Sequence, residues 1–208
     1  MSGKNIFHFL ARLRYWLNQE TLYSQQSPFI FSLYQGLLKY LQSQEKAGAN
    51  QKRKAALLGE YFCSLTPAQE VLELVFAGES KDPHLHGIAS GTLPTLEEEE
   101  GIPDSLKKKG SWEIHLKHFL QDQKVFDYVL VHDTTQYPSA ELFFEKLVSC
   151  LHENSILGLG NIHKSRETEI AWKKLKEHPR VQLSLDFFDY GFVFLSFPGK
   201  KTHKVLAY

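Results

Sequence analysis

The chain has 208 residues, ordinary apolar content, and 24 acidic side chains set against 24 basic ones. That length supports a domain with a true hydrophobic core, and the charge balance lacks the basic excess of a nucleic-acid binder, so no nucleic-acid partner is expected. No apolar run approaches the length of a membrane span, and the opening MSGKNIFHFLARLRYW has neither an uninterrupted apolar core nor a small-residue cleavage site, so a cytoplasmic location is the expectation.

In chain order, residues 5–17 form a predicted helix with Ile6, Phe9, Leu10, Leu13, Trp16 and Leu17 on one face and Lys4, Arg12 and Arg14 elsewhere. Large apolar side chains are costly to leave in water. The face is therefore expected to be covered by its own domain or by a second copy of the chain, a homodimer through the N-terminal helices. A membrane surface is the alternative, disfavoured by the few charges on the polar face. Pro28 suits the first turn of a second helix, running from Phe29 to about Leu41 and apolar on nearly every side. Residues 43–54 read as a polar linker, and Lys54–Ser64 as a further helix stopped before Pro67. This divides the chain into an N-terminal helical segment, 1–54, and an α/β domain, 55–208.

Residues 70–76 (EVLELVF) form the first predicted strand, 85–89 a weaker second and 112–116 a third. The acidic run 97–100 and the basic run 107–109 between them read as a solvated excursion. Residues 128–131 are a fourth strand, ending at His132-Asp133-Thr134-Thr135. Ser139 then caps a helix in which Leu142, Phe143, Leu147, Val148 and Leu151 recur at three- and four-residue spacing, with Asn154 at its close. Residues 155–159 are a fifth strand, ending in Gly160-Asn161-Ile162-His163. Ser165 caps a charged helix over 166–177, and strands 181–187 and 192–197, joined at Asp189-Tyr190-Gly191, make a closing hairpin. Cys63 and Cys150 fall in predicted helices and read as buried reduced thiols.

Strand, helix, strand with short links builds a parallel sheet, and ligands of such sheets sit beyond the carboxyl ends of the strands. Asp133, Asn161 and His163 converge there and are the candidate catalytic residues, facing a small molecule or protein whose identity the sequence does not specify. Each also has a structural use: Asp133 as a loop cap, Asn161 as a turn residue, His163 as a polar group at a helix start.

Four stretches carry a resemblance: SPFIFSLY at 27–34, VLEL at 71–74, FDYVLVHD at 126–133, and LHENSILGLGNIHKSRETEIAWKKLKEHPRVQLSLDFFDYGFVF at 151–194. Together they resemble the class I S-adenosylmethionine-dependent methyltransferases, in a bacterial subgroup related to O-methyltransferases. The resemblance implies a Rossmann-like sheet, mostly parallel with a C-terminal antiparallel hairpin, preceded by N-terminal helices. It implies S-adenosylmethionine as cofactor, with Glu73, Gly78, Ser90 and Asp133 around it and Asp133, Asn161 and His163 near the acceptor. Cation-dependent members place an Asp after the fourth strand and an Asp-Asn pair after the fifth. Asp133 and Asn161 match, but Gly160 stands in the other Asp's place. One carboxylate with Asn and His is a thin set for a hard cation, and no metal is expected.

The cofactor motif departs from that family. Its first strand is followed by acidic residue, x, Gly, x, Gly. Here Glu73 supplies the acid, but Val75 and Ala77 occupy the glycine positions. The second strand ends at Ala89-Ser90, without the carboxylate that holds the ribose hydroxyls. The link between the first two strands leaves the six positions 78–83, where a parallel crossover normally needs about a dozen or more. The expectation is a methyltransferase-like protein with degenerate motifs and weak or no cofactor binding. A non-catalytic binding or scaffolding module on the same fold is the alternative.

Overall fold

The computed structural model describes residues 3–21, 26–46, 54–66, 71–74, 125–136 and 140–207. Helix α1 spans Gly3–Asn18. The Ser27 carbonyl and hydroxyl accept the N–H groups of Phe31 and Ile30, and α2 (Pro28–Lys46) starts there. It runs past the expected stop near Leu41, because QSQEK supplies mostly good helix formers. Helix α3 keeps the expected bounds, Lys54–Ser64. Tyr61 of α3 donates to the Leu33 carbonyl of α2 at 2.8 Å, and Phe62 stacks on Phe192 with ring centroids 4.0 Å apart.

Six strands form one mixed sheet: β1 (Val71–Leu74), β2 (Phe126–Val131), β3 (Leu151–Gly160), β4 (Leu183–Asp186), β5 (Tyr190–Phe194) and β6 (Thr202–Val205). Their spatial order is β1-β2-β3-β5-β4-β6. β1, β2 and β3 pair in parallel, β5 runs antiparallel between β3 and β4, and β6 lies parallel to β4. The carboxyl ends of five strands and the amino end of β5 therefore share one rim.

Alternation along β2 sorts the core into two layers. Val129 and Val131 face α4 (Ala140–Ser149) and α5 (Arg166–Glu177), packing with Phe143, Leu147 and Trp172. Tyr128 and Leu130 face α2 and α3, packing with Leu37, Leu58, Phe62 and Phe192. Helices on both faces of a mostly parallel sheet with antiparallel C-terminal pairs agree with the α/β expectation. The expected strands 85–89 and 112–116, the charge runs, and Ser139 lie outside the described residues.

Three local expectations are corrected. The first concerns α4, which stops at Ser149 rather than near Asn154, so that Leu151 opens β3. Phe126 N–H bonds the Cys150 carbonyl, and Leu151 pairs with Phe126 before the register shifts. The surplus residues are held by Ser155, whose hydroxyl accepts the His152 N–H at 2.9 Å and donates to the Phe126 carbonyl at 2.6 Å. The second is the hairpin turn, which lies at Phe187-Phe188-Asp189 and not at Asp189-Tyr190-Gly191. Phe188 adopts φ 66°, and Asp186 Oδ1 accepts its N–H at 2.9 Å, the short side-chain turn that aspartate favours. The third is β6, an edge strand of half-polar sequence that alternation did not single out. Cys63 and Cys150 are buried free thiols as expected, although Cys150 sits at the α4–β3 junction.

Helix α1 lies against the rim by its flank. The Tyr15 hydroxyl donates to the Leu206 carbonyl, Arg14 pairs with Glu169 at 3.6 Å, and just beyond the helix Glu20 pairs with Lys204 at 2.7 Å. Among the described residues, none of the domain covers the apolar face, one of the two expected covers: Phe9 is 66%, Trp16 62% and Leu17 67% exposed. Among the described residues no helix is long and apolar enough to cross a membrane.

Candidate functional site

The rim holds two polar networks. The first begins at Asp133, just past β2 and 1% exposed. Its Oδ1 accepts the Thr135 N–H at 2.9 Å and the Thr135 hydroxyl at 2.6 Å. The Asn161 side chain lies close enough to favour the ionised carboxylate, and Lys164 Nζ stands 3.5 Å from Oδ2. Burial alone would push this carboxyl up. The Thr135 hydroxyl and N–H, Asn161 and the Lys164 charge outweigh it and hold the group below the usual carboxylate range.

Strand ends are pinched together beside it. The Thr134 hydroxyl donates to the Gly160 carbonyl at 2.8 Å. A β-carbon added at Gly160 would fall inside contact distance of the His132 carbonyl oxygen, 2.7 Å from its carbonyl carbon and 3.2 Å from the Tyr190 ring. Asn161 follows in the left-handed region, φ 60°, a conformation asparagine tolerates better than most residues. Its N–H donates to the Asp189 carbonyl at 2.6 Å.

The second network centres on Asp186, 4% exposed at the end of β4. Its Oδ2 lies 2.8 Å from His163 Nε2 and accepts the Trp172 indole N–H at 3.0 Å. Burial opposes ionisation here too, but the hydrogen bond and charge of His163, the Phe188 N–H and Trp172 together hold the carboxyl below its ordinary value. The His163 ring stacks on Phe188, centroids 5.4 Å apart. Its Nδ1 is buried and has no hydrogen-bond partner among the described residues. Phe188 is in turn enclosed by His8, Tyr15 and Arg12 of α1, at 5.3, 5.2 and 5.5 Å.

The three rim residues singled out in the sequence thus fall in two groups. Asp133 and Asn161 share the first network, while His163 belongs to the second. Glu73 lies in β1 in register with Leu130; Gly78 and Ser90 lie outside the described residues, as do Val75, Ala77 and Ala89. Sequence reasoning missed Lys164, Trp172, Asp186 and Phe188. A signal for Asp186 exists in the sequence, since it ends an alternating strand much as Asp133 ends the run before it.

Asp133 and Asn161 on one side and His163 on the other belong to separate networks rather than to one ligand set for a hard cation. Among the described residues no three His, Cys, Asp or Glu side chains converge as a metal site. The backbone at Gly160 also leaves no room for the side chain that would complete one. A cleft of about 470 Å³ opens elsewhere, toward the amino end of β3, lined by Phe29, Tyr61, Glu153, Ile156 and Phe194 among others. No candidate residue lines it. No family model, curated protein or solved structure matches the chain.

Proposed function

We propose that the chain is an S-adenosylmethionine-dependent methyltransferase-like protein whose cofactor site is dismantled, and that it serves as a non-catalytic binding module. The strand order supports the ancestry: β1, β2 and β3 run parallel from edge to centre, and the reversed β5 stands between β3 and β4. A Rossmann-like sheet of that family ends in the same way, and the four quoted stretches fall on α2, β1, β2 and the segment from β3 to β5.

The observation that carries the loss of function is the closure of the rim at Gly160 and Asp133. The carboxylate that would face a ligand is spent on Thr135, Asn161 and Lys164. The neighbouring backbone approaches too closely to admit an acidic side chain. His163, the remaining base, commits Nε2 to Asp186 and keeps Nδ1 sealed from solvent. A general base must reach the proton it abstracts, and neither nitrogen is presented for that. The sequence departures at Val75, Ala77 and Ala89 act in the same direction.

The test is titration of the full chain with S-adenosylmethionine and with its demethylated product, followed by calorimetry. Absence of micromolar binding to either is the expected outcome. Saturable micromolar binding would restore the enzyme.

A further inference from the structure

Helix α1 is amphipathic, yet it docks with its apolar stripe turned outward. Phe9, Leu10, Leu13, Trp16 and Leu17 are all exposed, by 44 to 67%. The rest of the helix is fixed: on the opposite flank Tyr15 bonds the Leu206 carbonyl and, with His8, encloses the Phe188 ring, and Arg14 at the edge of the stripe reaches Glu169. Rolling the helix to bury its stripe would break all of these contacts, so the orientation is built in.

We propose that this stripe docks the protein on an anionic membrane surface, with α1 lying in the plane of the lipid headgroups. The charge pattern selects that occupant. At about 100° per residue the five apolar side chains cover an arc of about 120°, and Arg12 and Arg14 fall just beyond its two edges. The charged residues of α1 are Lys4, Arg12 and Arg14, with no Asp or Glu among them. Two copies packed stripe on stripe would line those arginines along one seam with no acid on either helix to answer them, Glu169 of α5 reaching only Arg14, whose side chain stays 70% exposed. Lipid phosphates answer them directly, while the arginine stems and the Trp16 ring suit the boundary between headgroup and acyl chain. The surface is separate from the rim residues, so this inference stands whether or not the cofactor binds.

The test is flotation of the full chain with vesicles of phosphatidylcholine, and with vesicles in which part of that lipid is replaced by phosphatidylglycerol. Binding is expected on the anionic vesicles at low ionic strength. It should weaken about tenfold or more when the anionic lipid is omitted or salt is raised. Leu13→Glu combined with Trp16→Glu should abolish it at a nearly unchanged unfolding midpoint, because both side chains are exposed, by 44% and 62%. Three results would overturn the proposal: no binding to anionic vesicles, binding indifferent to that double substitution, or a dimer in sedimentation equilibrium that the double substitution dissolves. The last would place a second copy on the stripe.

Discussion

His163 and Asp186, 23 positions apart, meet at 2.8 Å between Nε2 and Oδ2, and that contact joins the segment after β3 to the end of β4. Because Trp172 and the Phe188 N–H bond the same carboxylate, one side chain ties α5, the hairpin turn and the rim together. Phe188, held in its left-handed turn, then forms the platform on which α1 sits.

Removing that carboxylate should cost more than removing the imidazole. Asp186→Ala leaves Trp172 Nε1, the Phe188 N–H and His163 Nε2 without their acceptor inside the protein, a loss of about 3–5 kcal/mol. His163→Ala leaves Asp186 two donors and should cost clearly less. Urea unfolding of the two variants checks the order, and a loss for Asp186→Ala no larger than that for His163→Ala would contradict it.

Acid should unfold the protein through Asp133 and Asp186. Both carboxyls are held below their ordinary value when folded. Their stabilisation is therefore fully present above the unfolded carboxylate value, about 4, and is lost as pH falls through the lower folded values. Stability measured from neutral pH down to strong acid should decline mainly below about pH 4. Asp133→Asn should flatten that decline while lowering stability at neutral pH, and an unchanged acid limb would count against the assignment.

Gly160 should tolerate no side chain. An alanine there must displace the His132 carbonyl, which is backbone and cannot swing aside, so Gly160→Ala should destabilise by about 1–3 kcal/mol or more. Gly160→Asp should be at least as costly, and Mg²⁺ or Mn²⁺ should not raise its unfolding midpoint. Metal-dependent stabilisation of Gly160→Asp would show that the rim can open to hold a cation.

Much of the architecture was legible because its signals are local. Lys54–Ser64 and Arg166–Glu177 carry helical spacing, and Ser165 with Thr168 forms the cap at the second of them. Strand-end position alone brought Asp133 and Asn161 to one network. The errors came where distant residues decide. Asp189-Tyr190-Gly191 has turn chemistry, but the buried Asp186 moves the turn two residues earlier by capturing the Phe188 N–H. Leu151 fits the helical period of α4, yet pairing with Phe126 draws it into β3. Nothing in the spacing of α1 announced that its apolar side would turn away from the other described residues, because Tyr15, Arg14 and Glu20 hold it through partners in β6 and α5 and just after β6. Asp186 was invisible as a partner of His163 for the same reason.

The proposed function rests on the rim failing to bind S-adenosylmethionine. Without a carboxylate near Ala89 the ribose hydroxyls lose a charge-assisted bond worth about 1.5–3 kcal/mol, and each loss of about 1.4 kcal/mol is tenfold in affinity. In the sequence Val75 and Ala77 stand where the family has glycines that let the backbone approach, and the Asp133 carboxylate is already engaged by Thr135. Calorimetric titration of the full chain with S-adenosylmethionine tests this most directly. The account predicts no saturable heat at micromolar cofactor, and a one-site isotherm with a micromolar Kd would contradict it.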